Sequence, residues 1–261
     1  MTGRFTDMGG FWEIHSRYVP EGYEHFSMTH VLTLLACAAL GAVLFAAFYR
    51  SGEKNRRRMI RSIPVIMACM EAFKELNVVI HGVNILWYLP LHLCGLGIFV
   101  FLLAAYLPSE KARAFFAEVA LFLIFPGSVF ALLFPDWNRL YQPFSYMSIN
   151  SYVWHTLLCV YPLMLLAAGV CRPSIRHIWY QVVFLAAVVP AVYIFDVKYN
   201  CNYMFLTVPV PDTPLEWLAS FMGDPGYLAG YAILAFAVIL AEHLAYEALT
   251  GVVRHVRKRK V

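Results

Sequence analysis

Seven apolar stretches of 19 to 21 residues recur along the chain, separated by short polar segments. They run Val31 to Tyr49, Ile60 to Ile80, Trp87 to Tyr106, Ala114 to Phe134, Tyr152 to Val170, Ile178 to Val197 and Tyr227 to Glu247. Each is long enough to cross about 30 Å of hydrocarbon at about 1.5 Å per residue. The pattern predicts an all-α, polytopic membrane bundle of seven transmembrane helices. It divides into an outside interfacial segment over 1–28, a membrane domain over 29–250 and a basic tail over 251–261. The first 28 residues have neither the apolar core nor the small-residue cleavage site of a signal peptide. Phe11, Trp12, Tyr18, Tyr23 and Phe26 suit them to the outer interface. No internal repeat is visible.

Composition agrees with a membrane protein. Hydrophobic residues make up 61% of the 261 and charged residues only 14%, well below the roughly 25% of soluble domains. Soluble enzyme folds are excluded. The net charge of +4 is too small to point to nucleic acid, and its placement reads as topology. Six basic residues lie between Arg50 and Arg61, two at Lys111 and Arg113, two at Arg172 and Arg176 and five between Arg254 and Lys260, which is 15 of 20 on one side. The opposite side holds nine acids: Asp7, Glu13, Glu21, Glu24, Asp136, Asp196, Asp212, Glu216 and Asp224. The positive-inside rule therefore puts the N-terminus outside and the C-terminus in the cytoplasm, in a cell membrane.

Ionisable groups inside a span cost about 2.5 to 3.5 kcal/mol each, so they concentrate where there is a partner or a cavity. On the second span Glu71, Lys74, Asn77, His81 and Asn84 follow at steps of three or four and share a face, with Glu75 beside them. An internally neutralised Glu–Lys pair is the structural reading of the first members. The third span opens Leu89-Pro90-Leu91-His92-Leu93-Cys94-Gly95. Pro90 suits a helix's first turn. His92 and Cys94 fall about 200° apart on a regular helix, so only one would face a cleft. His155 begins the fifth span, with Cys159 one turn deeper, and Asp196 to Leu206 after the sixth is dense in polar side chains. Glu118, Glu242 and Glu247, with His243 between the last two, lie near inner ends and read as snorkelling residues.

In the expected topology these groups converge near the outside end of four spans. Cys94 comes roughly 10 Å and His155 about 5 Å below the outer interface. Six cysteines at 37, 69, 94, 159, 171 and 201 make no disulfide framework. Three imidazoles at one depth, His81, His92 and His155, would allow a Zn²⁺ site, but no metal-ligand spacing is present and neither metal nor cofactor is expected.

The run Leu89 to Cys94, Asn200-x-Asn202-Tyr203-Met204-Phe205-Leu206 followed by Pro209, Phe125-Pro126 and the early His155 resemble the bacterial YwaF family of integral membrane proteins, over about residues 30 to 250. That group is similar, more remotely, to multi-pass acyltransferases that move fatty acyl chains onto ether phospholipids through a cysteine, and to the androgen-induced-gene hydrolases, which pair Thr with His. The resemblance implies Cys94 as nucleophile and His155 as base. In the acyltransferases a His directly follows the cysteine; here Gly95 follows and His92 precedes, so both histidines stand as bases.

On this reading Cys94 attacks an acyl ester of a membrane lipid, His155 or His92 relays the proton, and His81, Asn84, Asn77, Glu71, Lys74, Asn202 and Tyr203 line the substrate pocket. Transfer or ester hydrolysis depends on the acceptor. The competing expectations are a proton-coupled transporter or sensor built on the Glu71/Lys74/His81 stripe, and a subunit whose buried polar groups only fix helix packing.

Overall fold

A computed structural model describes residues 11–12, 14, 24–135, 137–210 and 213–258, with residues 139, 140 and 252–258 given by backbone only. Of the outside acids, Asp7, Glu13, Glu21, Asp136 and Asp212 lie outside the described residues, as does most of the 1–28 segment. Every regular element described is a helix: α1 Met28–Arg50, α2 Glu53–Ile80, α3 Leu93–Tyr106, α4 Glu110–Val119, α5 Phe125–Leu133, α6 Tyr146–Ala167, α7 Trp179–Tyr199, α8 Pro214–Met222 and α9 Tyr227–Lys258.

Five helical stretches are long and apolar enough to cross a membrane: Met28–Arg50, Glu110–Leu133, Tyr146–Ala167, Ile175–Tyr199 and Tyr227–Gly251. The two remaining expected spans differ for physical reasons. Helix α2 is 28 residues long but polar, from its basic first turns and from Glu71, Lys74 and Glu75. Helix α3 has 14 residues instead of the expected twenty, because the chain from Tyr88 to His92 is non-helical. Pro90 thus lies in a turn before the helix, not in its first turn, and His92 is the N-cap with extended backbone.

Ser27, Ser109 and Ser145 cap α1, α4 and α6 through their hydroxyl oxygens, the ordinary way to satisfy first-turn N–H groups. Ser145 starts α6 six residues before the expected Tyr152. Helices α4 and α5 form one rod interrupted by a wide π turn over Ala120–Ile124, all five residues buried. Pro126 has no N–H for the Phe122 carbonyl and its ring crowds that carbonyl, so the turn widens just before it.

The chain divides into two compact units, Met1–Cys171 and Arg172–Val261. In the first, α6 is central and packs against α1, α2, α3, α4 and α5. Half of its apolar window is buried, against 17% for α1, whose outward Leu32, Leu35 and Val43 suit a lipid environment. Helices α1, α3 and α6 run the same way, and α2 runs against them; the end where α1, α3 and α6 begin is termed the upper end. There Phe11, Trp12 and Ile14 fold onto the bundle: the Phe11 carbonyl accepts from Tyr146 N at 2.7 Å, the Trp12 ring meets Phe73 and Tyr146, and Ile14 is buried with Val78, Tyr88, Tyr141 and Met147.

In the second unit α8 lies along α9. Helix α8 was not expected, although Thr213-Pro214-Leu215-Glu216 carries its cap, its Pro at the first position and an acid in the first turn. Trp217 and Phe221 are exposed on it and stack on each other. Helix α9 continues beyond the expected Glu247 to Lys258, so most of the 251–261 tail is helical, with 259–261 outside the described residues. His243 is not a snorkelling residue: it is fully buried, with Nε2 3.3 Å from Gln181 Oε1. Glu247 Oε1 instead accepts from Ile175 N, closing the turn before α7. Glu118, in the first unit, is likewise buried inside the bundle.

Candidate functional site

Lys74 organises the upper half of the first unit. Its ammonium donates to Glu71 Oε1 at 2.7 Å and to the Tyr88 carbonyl at 2.8 Å, and lies 3.3 Å from Glu75 Oε1. One side chain thus compensates two carboxylates and satisfies a carbonyl in the non-helical stretch. This fastens α2 to the chain entering α3. Of the expected residues, the structure brings Glu71 and Lys74 into direct contact, with Glu75 beside them.

Cys94 is the second residue of α3, half-buried, with the Gly95 N–H directed at its sulfur. Gly95 is required by close approach: a Cβ on it would lie 2.6 Å from Pro90 Cα and 2.7 Å from Pro90 C. Backbone atoms cannot step aside as a side-chain tip can, so Gly95→Ala is expected to lower stability by about 1–3 kcal/mol. A thermal scan of the purified protein in detergent checks this.

Two contacts fix the register of α3 against α6. A Cβ on Gly97 would meet Leu158 Cδ2, and the Phe101 and Tyr161 rings are 4.4 Å apart. The helices are therefore parallel, and counting back one turn from Gly97 and Leu158 brings Cys94 level with His155. The shared level comes from how the two helices pack and not from where they start, since Cys94 is the second residue of α3 and His155 the tenth of α6. The two side chains are not hydrogen-bonded to each other; His155 Nδ1 pairs with the Ser151 carbonyl at 2.7 Å, so Nδ1 is the protonated nitrogen and Nε2 the basic one. The N-cap position of His92 removes it from the helical wheel, so the 200° separation does not apply.

The other pocket candidates divide by what their polar atoms already do. Asn77 is buried and its Nδ2 has no partner among the described residues. His81 Nδ1 pairs with the Asn77 carbonyl at 2.8 Å and closes the end of α2. Asn84 is exposed and its Oδ1 caps the turn at Leu86. Asn202 and Tyr203 belong to the second unit. There Asn202 Oδ1 accepts from Thr207 N, Thr207 Oγ1 and Val208 N, while its Nδ2 donates to the Val208 carbonyl. Asn202 therefore ties the loop that follows α7, and Tyr203 is buried in it. The Tyr141 hydroxyl meets that of Tyr88 at 3.3 Å, and burial, with Tyr88 beside it, pushes the Tyr141 phenol far up, so it stays a neutral donor.

His30 was not among the expected residues. It is fully buried; Nδ1 accepts from Phe26 N at 3.0 Å and Nε2 donates to the Leu132 carbonyl at 2.9 Å, joining the start of α1 to the end of α5. Its position directly after the Ser27 cap was the available signal. All six cysteines are free thiols. No group of three His, Cys, Asp or Glu side chains converges as metal ligands among the described residues, and His81, His92 and His155 form no such group.

Helices of this length and apolarity, around a helix-terminal cysteine and a compensated Lys–Glu cluster, define a multi-pass α-helical membrane protein. A family model for the TMEM164 family matches residues 25–241, and the chain belongs to that family. The match covers the first unit's helices and most of the second, and it gives no support to the YwaF resemblance or to the likeness to acyltransferases and hydrolases. No curated protein and no solved structure matches the chain.

Proposed function

We propose that the chain crosses the membrane seven times with its N-terminus outside, and that Cys94 carries acyl chemistry on a membrane lipid. The thiolate attacks the ester carbonyl; the C–O bond breaks, the acyl group passes to sulfur as a thioester, and the lysolipid oxygen leaves with a proton from the imidazolium of His155 or His92. An incoming hydroxyl then loses its proton to the imidazole and takes the acyl group, freeing the thiol; water in its place gives hydrolysis. Asn77 Nδ2 is the favoured oxyanion donor, since its hydrogen is uncommitted. Asn202 is fully engaged in its own loop. A base that does not touch the thiol at rest acts through a water or closes on it when substrate binds.

The observation that carries this reading is the level shared by Cys94 and His155 on parallel neighbouring helices. The carrier alternative would require Lys74 to leave its resting bonds to Glu71 and the Tyr88 carbonyl. The test is incubation of purified protein with a phospholipid bearing a radiolabelled acyl chain. A hydroxylamine-sensitive acyl-protein is expected, and Cys94→Ser is expected to remove it. Label that persists at full level in Cys94→Ser, or that maps to Cys37 or Cys159, removes Cys94 from the chemistry.

A further inference from the structure

At the lower end of the first unit, α2 presents Lys54, Arg57, Arg58, Arg61, Ser62 and Val65 at steps of three and four residues, a single stripe along one face. The stripe lines an open groove of about 750 Å³, with Tyr106 at the end of α3 as its second wall. Its character changes along the helix axis. The first two turns are cationic and exposed; past Ser62 the lining is Val65 and Ile66, 44% and 53% exposed. Tyr106 marks the boundary: its hydroxyl donates to the Arg61 carbonyl at 2.9 Å and the Arg61 guanidinium lies 5.3 Å from its ring centroid. Aromatic rings hold that position at a membrane interface.

Little acid balances these cations. Glu53 pairs with Arg57 at 3.0 Å on a fully exposed flank. Arg56, off the stripe, is spent on the Phe48 and Tyr49 carbonyls at the end of α1. Arg58 and Arg61 carry forked donors matched to phosphate oxygens. A soluble anion would use the cationic end and leave Val65 and Ile66 unexplained; a neutral lipid would use the apolar end and leave the cations unexplained. We infer that the groove binds an anionic phospholipid of the leaflet on the basic side, phosphate against Arg58 and Arg61 and one acyl chain along Val65 and Ile66. The groove is at the opposite end of the bundle from Cys94 and stands independently of the acyl-transfer reading.

The test uses full-length delipidated protein in detergent and native mass spectrometry, with dioleoyl-phosphatidylglycerol and dioleoyl-phosphatidylcholine as probes. Preferential retention of the anionic lipid is expected. Arg58→Ala and Arg61→Ala should each weaken it about fivefold. Lys111→Ala, basic but outside the groove, should leave it unchanged, and Val65→Ser with Ile66→Ser should weaken both lipids. All five positions are at the surface, and an unchanged circular dichroism spectrum verifies folding. Equal retention of the two lipids, or full retention by both Arg variants, overturns the assignment. Displacement of the lipid by equimolar glycerol phosphate also overturns it, since the site would then serve a soluble anion.

Discussion

Lys74→Met is expected to lower the stability of the protein by about 3–5 kcal/mol, the largest effect of any single substitution away from the cysteine. The side chains of Lys74, Glu71 and Glu75 are only 16%, 11% and 16% exposed. Removing the ammonium leaves two carboxylates facing each other in apolar surroundings and strands the Tyr88 carbonyl, which then has no donor at 2.8 Å. The loss is a desolvation cost more than a lost attraction. It follows that Glu71→Gln, Lys74→Met and Glu75→Gln combined should recover most of the deficit, because no uncompensated charge remains. Equilibrium unfolding in detergent with increasing dodecyl sulfate measures both. A Lys74→Met protein within about 1 kcal/mol of the parent would show that the carboxylates do not depend on this cation.

His155→Ala is expected to slow thioester formation on Cys94 by about 10²- to 10⁴-fold, the range for loss of a general base. Because Nδ1 is held by the Ser151 carbonyl, Nε2 is the nitrogen presented for proton transfer, and added imidazole should restore part of the rate. Stability should move little, since the ring makes that one local bond. Single-turnover acylation separates the outcomes. A full rate in His155→Ala with a slow His92→Ala assigns the base to His92. Full rates in both remove imidazole base catalysis from the reading.

Much of the helical layout was legible because hydrophobic run length is a local property. The starts of α1 and α9 and the Glu–Lys stripe on α2 follow from spacing alone. The start of α3 did not, because it is set by contact: the chain before it folds back until Pro90 meets Gly95, and only coordinates show how near two backbones come. The register that levels Cys94 with His155 is likewise a property of two helices together. His243 and Glu118 were misplaced because proximity to a basic loop says nothing about which face a side chain takes. Asn202 reads from sequence as an uncommitted donor; its four bonds within the loop are tertiary facts.

The 14 residues of α3 rise about 21 Å, against hydrocarbon about 30 Å thick. On the proposed seven-span reading its flank, where Phe99 is half exposed, is too short for an undeformed bilayer, and the non-helical stretch from Tyr88 to His92 would bring polar backbone down in its place. Lipids beside it would then sag toward the midplane. Their glycerol linkages, ordinarily stationed at the border of the oily layer, would descend with them toward the first turn of α3, so that the proposed nucleophile would meet its ester by bending the membrane and not by pulling a lipid out of it.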